Sequence, residues 1–205
     1  MKIKHILIVI MALVFLTGCS GGNGSSDVAD TYTPVALDSE ATYYADIDIA
    51  DYGMITVELD QNAAPVTCAN FVELAESGFY DGLTFHRIIA DFMMQGGDPS
   101  GNGTGGSENN IVGEFSSNGY ENNLSHERGV ISMARAQDPN SASSQFFICH
   151  ADSEFLDGDY AAFGKVIKGL DVVDKVCAEA EPTDGNGSID PAAQPVINTI
   201  KIRVE

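Results

Sequence analysis

The run Phe85-His86-Arg87-Ile88-Ile89-Ala90-Asp91-Phe92-Met93-Met94-Gln95-Gly96-Gly97-Asp98 sets the terms for everything around it. Leu83–Ile89 and Phe92–Gln95 read as two short strands, rich in aromatic and branched side chains. Side chains alternate across a strand, so Met93 and Gln95 share one face and Met94 turns to the other. Arg87 in isolation would be a solvated strand-edge arginine. Beside Gln95 and a row of apolar groups it becomes a candidate for chemistry.

Working outward, further short strands follow at Val130–Ala134, Phe146–Cys149 and Ala162–Ile167, separated by Gly- and Asn-rich loops. Gln145 and Phe147 share a face, leaving Phe146 and Ile148 to fill the interior with Met94. Asp98 to Asn123 is a long connection of little periodicity, the usual mark of a functional surface loop. Upstream, Asp46–Leu59 reads as a β-hairpin turning at Asp51-Tyr52-Gly53. A helix follows, with Pro65 in its first turn, an apolar face of Phe71, Val72, Leu74 and Ala75, and Gly78 at its end. Downstream, a second helix spans about Leu170–Ala180, stopped by Pro182, and Val196–Val204 is an alternating last strand. Eight short strands and two helices far apart in sequence predict a mostly β fold. Its economical form is a closed antiparallel eight-stranded barrel capped by the two helices.

The N-terminus carries an address. Lys2, Lys4 and His5 precede the unbroken apolar run Ile6–Leu16, too short to span a bilayer but suited to a signal peptide. Leu16-Thr17-Gly18-Cys19 resembles the lipobox of bacterial lipoproteins, which implies cleavage before Cys19 and acylation of its sulfur, by palmitate among other chains. Residues 1–18 are thus expected to be a signal peptide, 19–42 a flexible Gly/Ser-rich tether and 43–205 a single domain. The expected location is extracytoplasmic, on a membrane through lipidated Cys19. Without residues 1–18, which hold Lys2 and Lys4, 8 basic side chains face 30 acidic ones, a net of −22. Such acidity excludes nucleic acid and an anionic bilayer as electrostatic partners. Cys68, Cys149 and Cys177 have no metal spacing and read as buried thiols, with one disulfide open in this compartment. Asp184-Gly185-Asn186-Gly187-Ser188-Ile189-Asp190 imitates a calcium loop but lacks its sixth-position glycine and twelfth-position acid, and reads as a solvated turn.

The opening run closely resembles the signature of cyclophilin-type peptidyl-prolyl isomerases. Three more blocks resemble the same family in order: Gly103-Thr104-Gly105-Gly106; Ser132-Met133-Ala134-Arg135-Ala136 with Ser144-Gln145-Phe146-Phe147-Ile148; and Phe155-Leu156-Asp157-Gly158 with Phe163-Gly164. The resemblance covers about residues 44–204. It implies catalysis of cis/trans rotation about X–Pro bonds of unfolded or partly folded polypeptides. Resonance sets that barrier near ~18–20 kcal/mol, and no bond is broken, so neither metal nor cofactor is required. What is needed is a donor for the proline nitrogen as its lone pair localises. A permanently charged guanidinium suits that task, and Arg87 is the candidate. The resemblance implies that Gln95 orients Arg87 and holds substrate backbone, and that Phe92, Met93, Phe147 and Leu156 line the proline pocket. It adds Ala134, Arg135 and Gln145 to the substrate groove, Arg135 mainly through its main chain. His86 has no proton to transfer in such a reaction and takes a structural or pocket-edge role.

Two positions depart from the family pattern. Phe155 stands where cyclosporin-sensitive relatives carry tryptophan, and the chain has no Trp. Loss of an indole donor predicts weaker cyclosporin binding with catalysis retained. Tyr160 replaces a rim histidine, with bulk and a polar tip preserved. The competing classes are a non-catalytic proline-peptide-binding module or holdase, which would not require Arg87, and a solute-binding lipoprotein, for which the chain is short. A monomer assisting the folding of exported proteins is the expected working form.

Overall fold

The computed structural model describes residues 31–205; the leader 1–18, Cys19 and the polar stretch Ser20–Ser26 lie outside the described residues. Strand β1 (Tyr43–Ile49) buries every second residue, sending Tyr43, Ala45, Ile47 and Ile49 inward while Asp46 and Asp48 face out. β2 (Gly53–Leu59) pairs back on it antiparallel and buries Ile55, Val57 and Leu59. Helix α1 (Pro65–Glu76) begins with proline, whose missing N–H would be unbonded there in any case. Its free N–H groups are met from far away. Glu114, buried in the long 99–129 connection, accepts from Val66 N at 3.0 Å, Thr67 N at 2.7 Å and Thr67 Oγ1 at 2.7 Å. A carboxylate there also opposes the positive end of the helix dipole.

The remaining elements are β3 (Thr84–Ile89), β4 (Met93–Asp98), β5 (Val130–Met133), β6 (Phe146–Cys149), β7 (Ala162–Lys168), α2 (Leu170–Glu179) and β8 (Ile197–Val204). One antiparallel eight-stranded sheet runs in the order β3-β4-β6-β5-β7-β2-β1-β8. It curls around a core in which Phe146 meets Phe71, Tyr80 and Phe85 edge-on, with ring centroids 5.5, 5.5 and 5.9 Å away. Such edge-to-face contacts set the positive rim of one ring against the negative face of another. As the alternation predicts, Met94, Phe146 and Ile148 are fully buried in this core. Gly97 sits at φ +79, and a Cβ there would lie 2.6 Å from the Ser144 carbonyl, so the β4–β6 junction requires glycine.

The sheet is not a closed barrel. It is an open half-barrel, and its edge strands β3 and β8 meet only at one corner, through an isolated bridge between Thr84 and Val196. Beyond that corner β8 follows β1 for its whole length. The exposed edge of β3 is taken instead by residues 187–189. Ile88 N donates to Gly187 O at 2.8 Å, and Ile189 N to His86 O at 3.0 Å. Closure fails because another segment holds the hydrogen-bonding groups that β8 would need.

A second difference lies at the N-terminal boundary. Residues 31–42 fall in the stretch that composition assigns to the tether, yet Tyr32 N donates to Asn110 O at 2.8 Å and Tyr32 Oη to the Glu73 carboxylate. Leu37 and Ala41 pack against the core. Cys68, Cys149 and Cys177 are buried and unpaired. Burial pushes the thiols of Cys149 and Cys177 up to about 12, so neither is a thiolate at neutral pH.

Candidate active site

A β-bulge gives the site its aim. Phe85 pairs with Gly96 but Arg87 pairs with Gln95, so β3 fits His86 as an extra residue. Phe85 and His86 are consequently both buried, Ile88 points to the core, and Arg87 is released to the outer face opposite Gln95. Bulges commonly re-aim a side chain in this way. On the same outer face β4 contributes Met93 and β6 contributes Phe147, paired through Met93↔Cys149 and Gln95↔Phe147. Met93, Phe147 and Cys149 form a small apolar cluster separate from the main core, extended by Phe92, Ala134, Leu156 and Tyr160.

Arg87 heads a directed chain of hydrogen bonds. Its Nη1 donates to Gln95 Oε1 at 3.2 Å, Gln95 Nε2 to Gln145 Oε1 at 2.9 Å, and Gln145 Nε2 to Gly105 O at 2.7 Å. A guanidinium only donates and a carbonyl only accepts, so both carboxamide orientations are fixed. From the other side Arg87 Nε donates to Asn186 O at 2.8 Å. Burial lowers the Arg87 pKa, against the attraction of Tyr160 and Asp184, and the group stays charged. The guanidinium is thus held at two points above the apolar cluster, 5.9 Å from the Phe92 ring centroid.

These groups surround a cavity of about 810 Å³ lined by His86, Arg87, Phe92, Met93, Gln95, Ala134, Arg135, Phe147, Leu156 and Tyr160. Two residues expected at the pocket stand elsewhere. Gln145 lines an adjoining cavity of about 300 Å³ and reaches the site through Gln95. Phe155 is 73% exposed, leaning on Phe92 at a centroid distance of 5.5 Å. The Arg135 side chain is pinned between the Phe115 and Tyr160 rings, with Nε donating to Asp159 O at 2.9 Å. His86 is 5% exposed and neither ring nitrogen has a hydrogen-bond partner in the protein. Burial lowers its pKa, opposed by Asp98 and assisted by Arg87.

The sequence reading missed two parts of the site. One is a support behind Phe147. The His126 ring stacks on Phe147 at 6.0 Å, its Nδ1 2.7 Å from Asp157 Oδ1 and its Nε2 2.9 Å from Ser132 Oγ. Ser132 and His126 are 0% and 1% exposed, so this Ser-His-Asp arrangement meets no substrate and serves to hold the ring. Burial lowers the His126 pKa despite Asp157. Against its own partial burial, the Asp157 carboxyl is held low by hydrogen bonds from Ser125 and His126, so a neutral imidazole faces an ionised carboxylate. The other is the 182–194 segment, whose Thr183, Ser188, Ile189, Pro191 and Gln194 form a further wall beside Gly101–Gly103. Asp184–Asn186 is an exposed turn, as its composition predicts, but Gly187–Ile189 just after it lies along β3. Among the described residues no cluster of His, Cys, Asp and Glu could hold a metal ion.

The sequence model of the family described as "Cyclophilin type peptidyl-prolyl cis-trans isomerase/CLD" matches residues 44–203. The chain belongs to this family. Among relatives, a "Peptidyl-prolyl cis-trans isomerase A" from Dickeya dadantii is 38% identical over 204 residues, covering 97% of each chain. A "Peptidyl-prolyl cis-trans isomerase-like 1" from Rhizopus delemar is 50% identical over 125 residues, covering 60% of this chain and 74% of that one. Among solved structures, a Cryptosporidium parvum cyclophilin crystallised in the presence of the dipeptide Ala-Pro matches with a TM-score of 0.69 and 32% identity. It covers 78% of this chain and 98% of that one. This cyclophilin is a peptidyl-prolyl cis-trans isomerase.

Proposed function

We propose that this isomerase acts on proline-containing segments of exported polypeptides while anchored to a membrane through lipidated Cys19, as a monomer. The activity follows from the family and from one observation, a guanidinium fixed at both ends over an apolar recess. In the planar imide the nitrogen lone pair is delocalised into the carbonyl and is a poor acceptor. As the bond twists the nitrogen pyramidalises and its lone pair localises. A donor placed at that nitrogen then gains a hydrogen bond that the planar states lack, and the barrier falls without tighter ground-state binding. Phe92, Met93, Phe147 and Leu156 grip the pyrrolidine ring so that the rest of the chain rotates against it. Gln95 keeps a second amide hydrogen for the substrate backbone after donating to Gln145. Each ~1.4 kcal/mol of differential stabilisation is worth tenfold in rate.

The location rests on the sequence. Ile6–Leu16 followed by Leu16-Thr17-Gly18-Cys19 fits a lipoprotein leader, and Ser20–Ser26 fits a polar spacer between lipid and domain. Among the described residues no helix is long and apolar enough to cross a membrane. Uncatalysed proline isomerisation takes tens to hundreds of seconds, slow enough to limit folding of exported chains. The test is mass spectrometry of the mature N-terminus, with membrane fractionation of parent and Cys19→Ser. A diacylated Cys19, with the Cys19→Ser protein released from membranes, supports the anchor. An uncleaved leader, or membrane retention of Cys19→Ser, contradicts it.

A further inference from the structure

Arg87 is held from two sides, and only one lies in the strands that carry the family signature. The other is a small hairpin bridged at Pro182↔Ile189, with Asp184–Gly187 at its tip. Asp184 organises that tip. Its Oδ1 accepts from Asn186 N at 2.9 Å and Ser188 N at 3.0 Å, and its Oδ2 accepts from Ser188 Oγ at 2.9 Å. The tip then aims the Asn186 carbonyl at Arg87 Nε, 2.8 Å away. Gly187, at φ +86, passes under β3, where a Cβ would lie 2.7 Å from Ile88 O.

We propose that Asp184 is a positioning residue for catalysis: by holding the tip of the 182–189 hairpin it fixes the Asn186 carbonyl that orients the Arg87 guanidinium. Without that acceptor the guanidinium would be held only through Nη1, by Gln95 Oε1 and the Met93 sulfur, and would swing about that end. Donor placement in the twisted state suffers most, because Phe92, Met93, Phe147 and Leu156, which grip the proline ring, all lie outside the hairpin. Asp184 is exposed, and the hairpin is also closed by Thr183 N and Oγ1 donating to Ser188 O, so loss of its side chain leaves the core intact. Its charge also lies close enough to Arg87 to raise the guanidinium pKa. Electrostatic and positional roles must therefore be separated.

Asparagine separates them. It keeps Oδ1 for both backbone N–H groups, and its Nδ2 can donate to a rotated Ser188 hydroxyl, so the turn survives without the charge. The experiment compares Asp184→Ala and Asp184→Asn in steady-state exchange kinetics, together with the ¹⁵N-resolved Nε–H signal of Arg87. Asp184→Ala should lower kcat about 3- to 10-fold with KM little changed, the scale of a small misplacement of a catalytic group. It should also speed hydrogen exchange at Arg87 Nε–H. Asp184→Asn should restore both. In an Arg87→Ala background the Asp184→Ala effect on kcat should vanish. An unchanged kcat and an unchanged Nε–H in Asp184→Ala would overturn the proposal. So would Asp184→Asn behaving as Asp184→Ala does, since the charge and not the turn would then matter.

Discussion

The two walls of the cavity are made in different ways. The strand wall, with Gln95 on β4 and Phe147 on β6, sits on a continuous ladder backed by Phe146, Met94 and Ile148. The hairpin wall is laid against the free edge of β3 by a few backbone hydrogen bonds and the Asp184 turn. One Arg87 guanidinium joins them, donating to Gln95 on the first and Asn186 on the second. The strand wall obtains its precision from the core; the hairpin wall obtains its own from local turn chemistry. A single charged group can thus be rigid although half of its support lies in a loop.

Breaking the strand side should cost most. Gln95→Ala removes an acceptor for Arg87 and the link to Gln145, and kcat/KM should fall about 10- to 100-fold. Exchange kinetics on an X–Pro peptide checks this; a loss no larger than that of Asp184→Ala would put the main support in the hairpin. On the hairpin side, Gly187→Ala must adopt φ +86 and press on the Ile88 carbonyl. It should cost about 1–3 kcal/mol of stability, and its kcat should fall alongside. Denaturant melts that match the parent would show that the hairpin gives way freely.

His86, wedged in the bulge between the walls, permits a smaller test. Its two unpartnered nitrogens cost stability, so His86→Leu should be more stable at pH 7 by about 1 kcal/mol. The pH dependence has a definite sign. His86 and His126 both have folded pKa values below the free histidine value near 6.5, chiefly through burial. As pH falls below that value the unfolded chain takes up protons that the folded chain does not. Stability held above the window is therefore lost within it, by up to ~1.4 kcal/mol for each unit of depression. Thermal melts from pH 7.5 to 5 should decline, with a shallower slope in His86→Leu; a flat profile would contradict neutral burial. The mildest test concerns the rim. Phe155→Trp adds one donor at an exposed position and should tighten cyclosporin binding about tenfold. Binding by the parent as tight as by its Trp variant would show that the indole donor is dispensable.

Legibility in the sequence followed the range of the forces involved. β1, β2 and both helices are readable because burial alternates or repeats within each segment, as at Tyr43–Ile49, and β6 because it is a short apolar run buried throughout. The pairing of Met93 with Gln95, and of Gln145 with Phe147, follows from the same period of two. The bulge at His86 breaks that period, and its cause is the register with Gly96 on another strand. The missing closure was equally hidden, because the competitor for β3 is a turn some 100 residues away that resembled solvated loop. His126 gave no local signal either, since Asp157 and Ser132 reach it from separate strands and loops.

Exchange NMR on an Ala-Pro-Phe peptide, with the soluble domain and its Arg87→Ala variant, tests the central claim most directly. The parent should produce cis/trans exchange cross-peaks at catalytic concentrations. Arg87→Ala should keep its fold and its peptide binding while exchange falls about 100-fold or more, the loss typical of removing a transition-state donor. Undiminished exchange in a folded Arg87→Ala protein would contradict the account, and so would a parent that binds the peptide without accelerating its isomerisation.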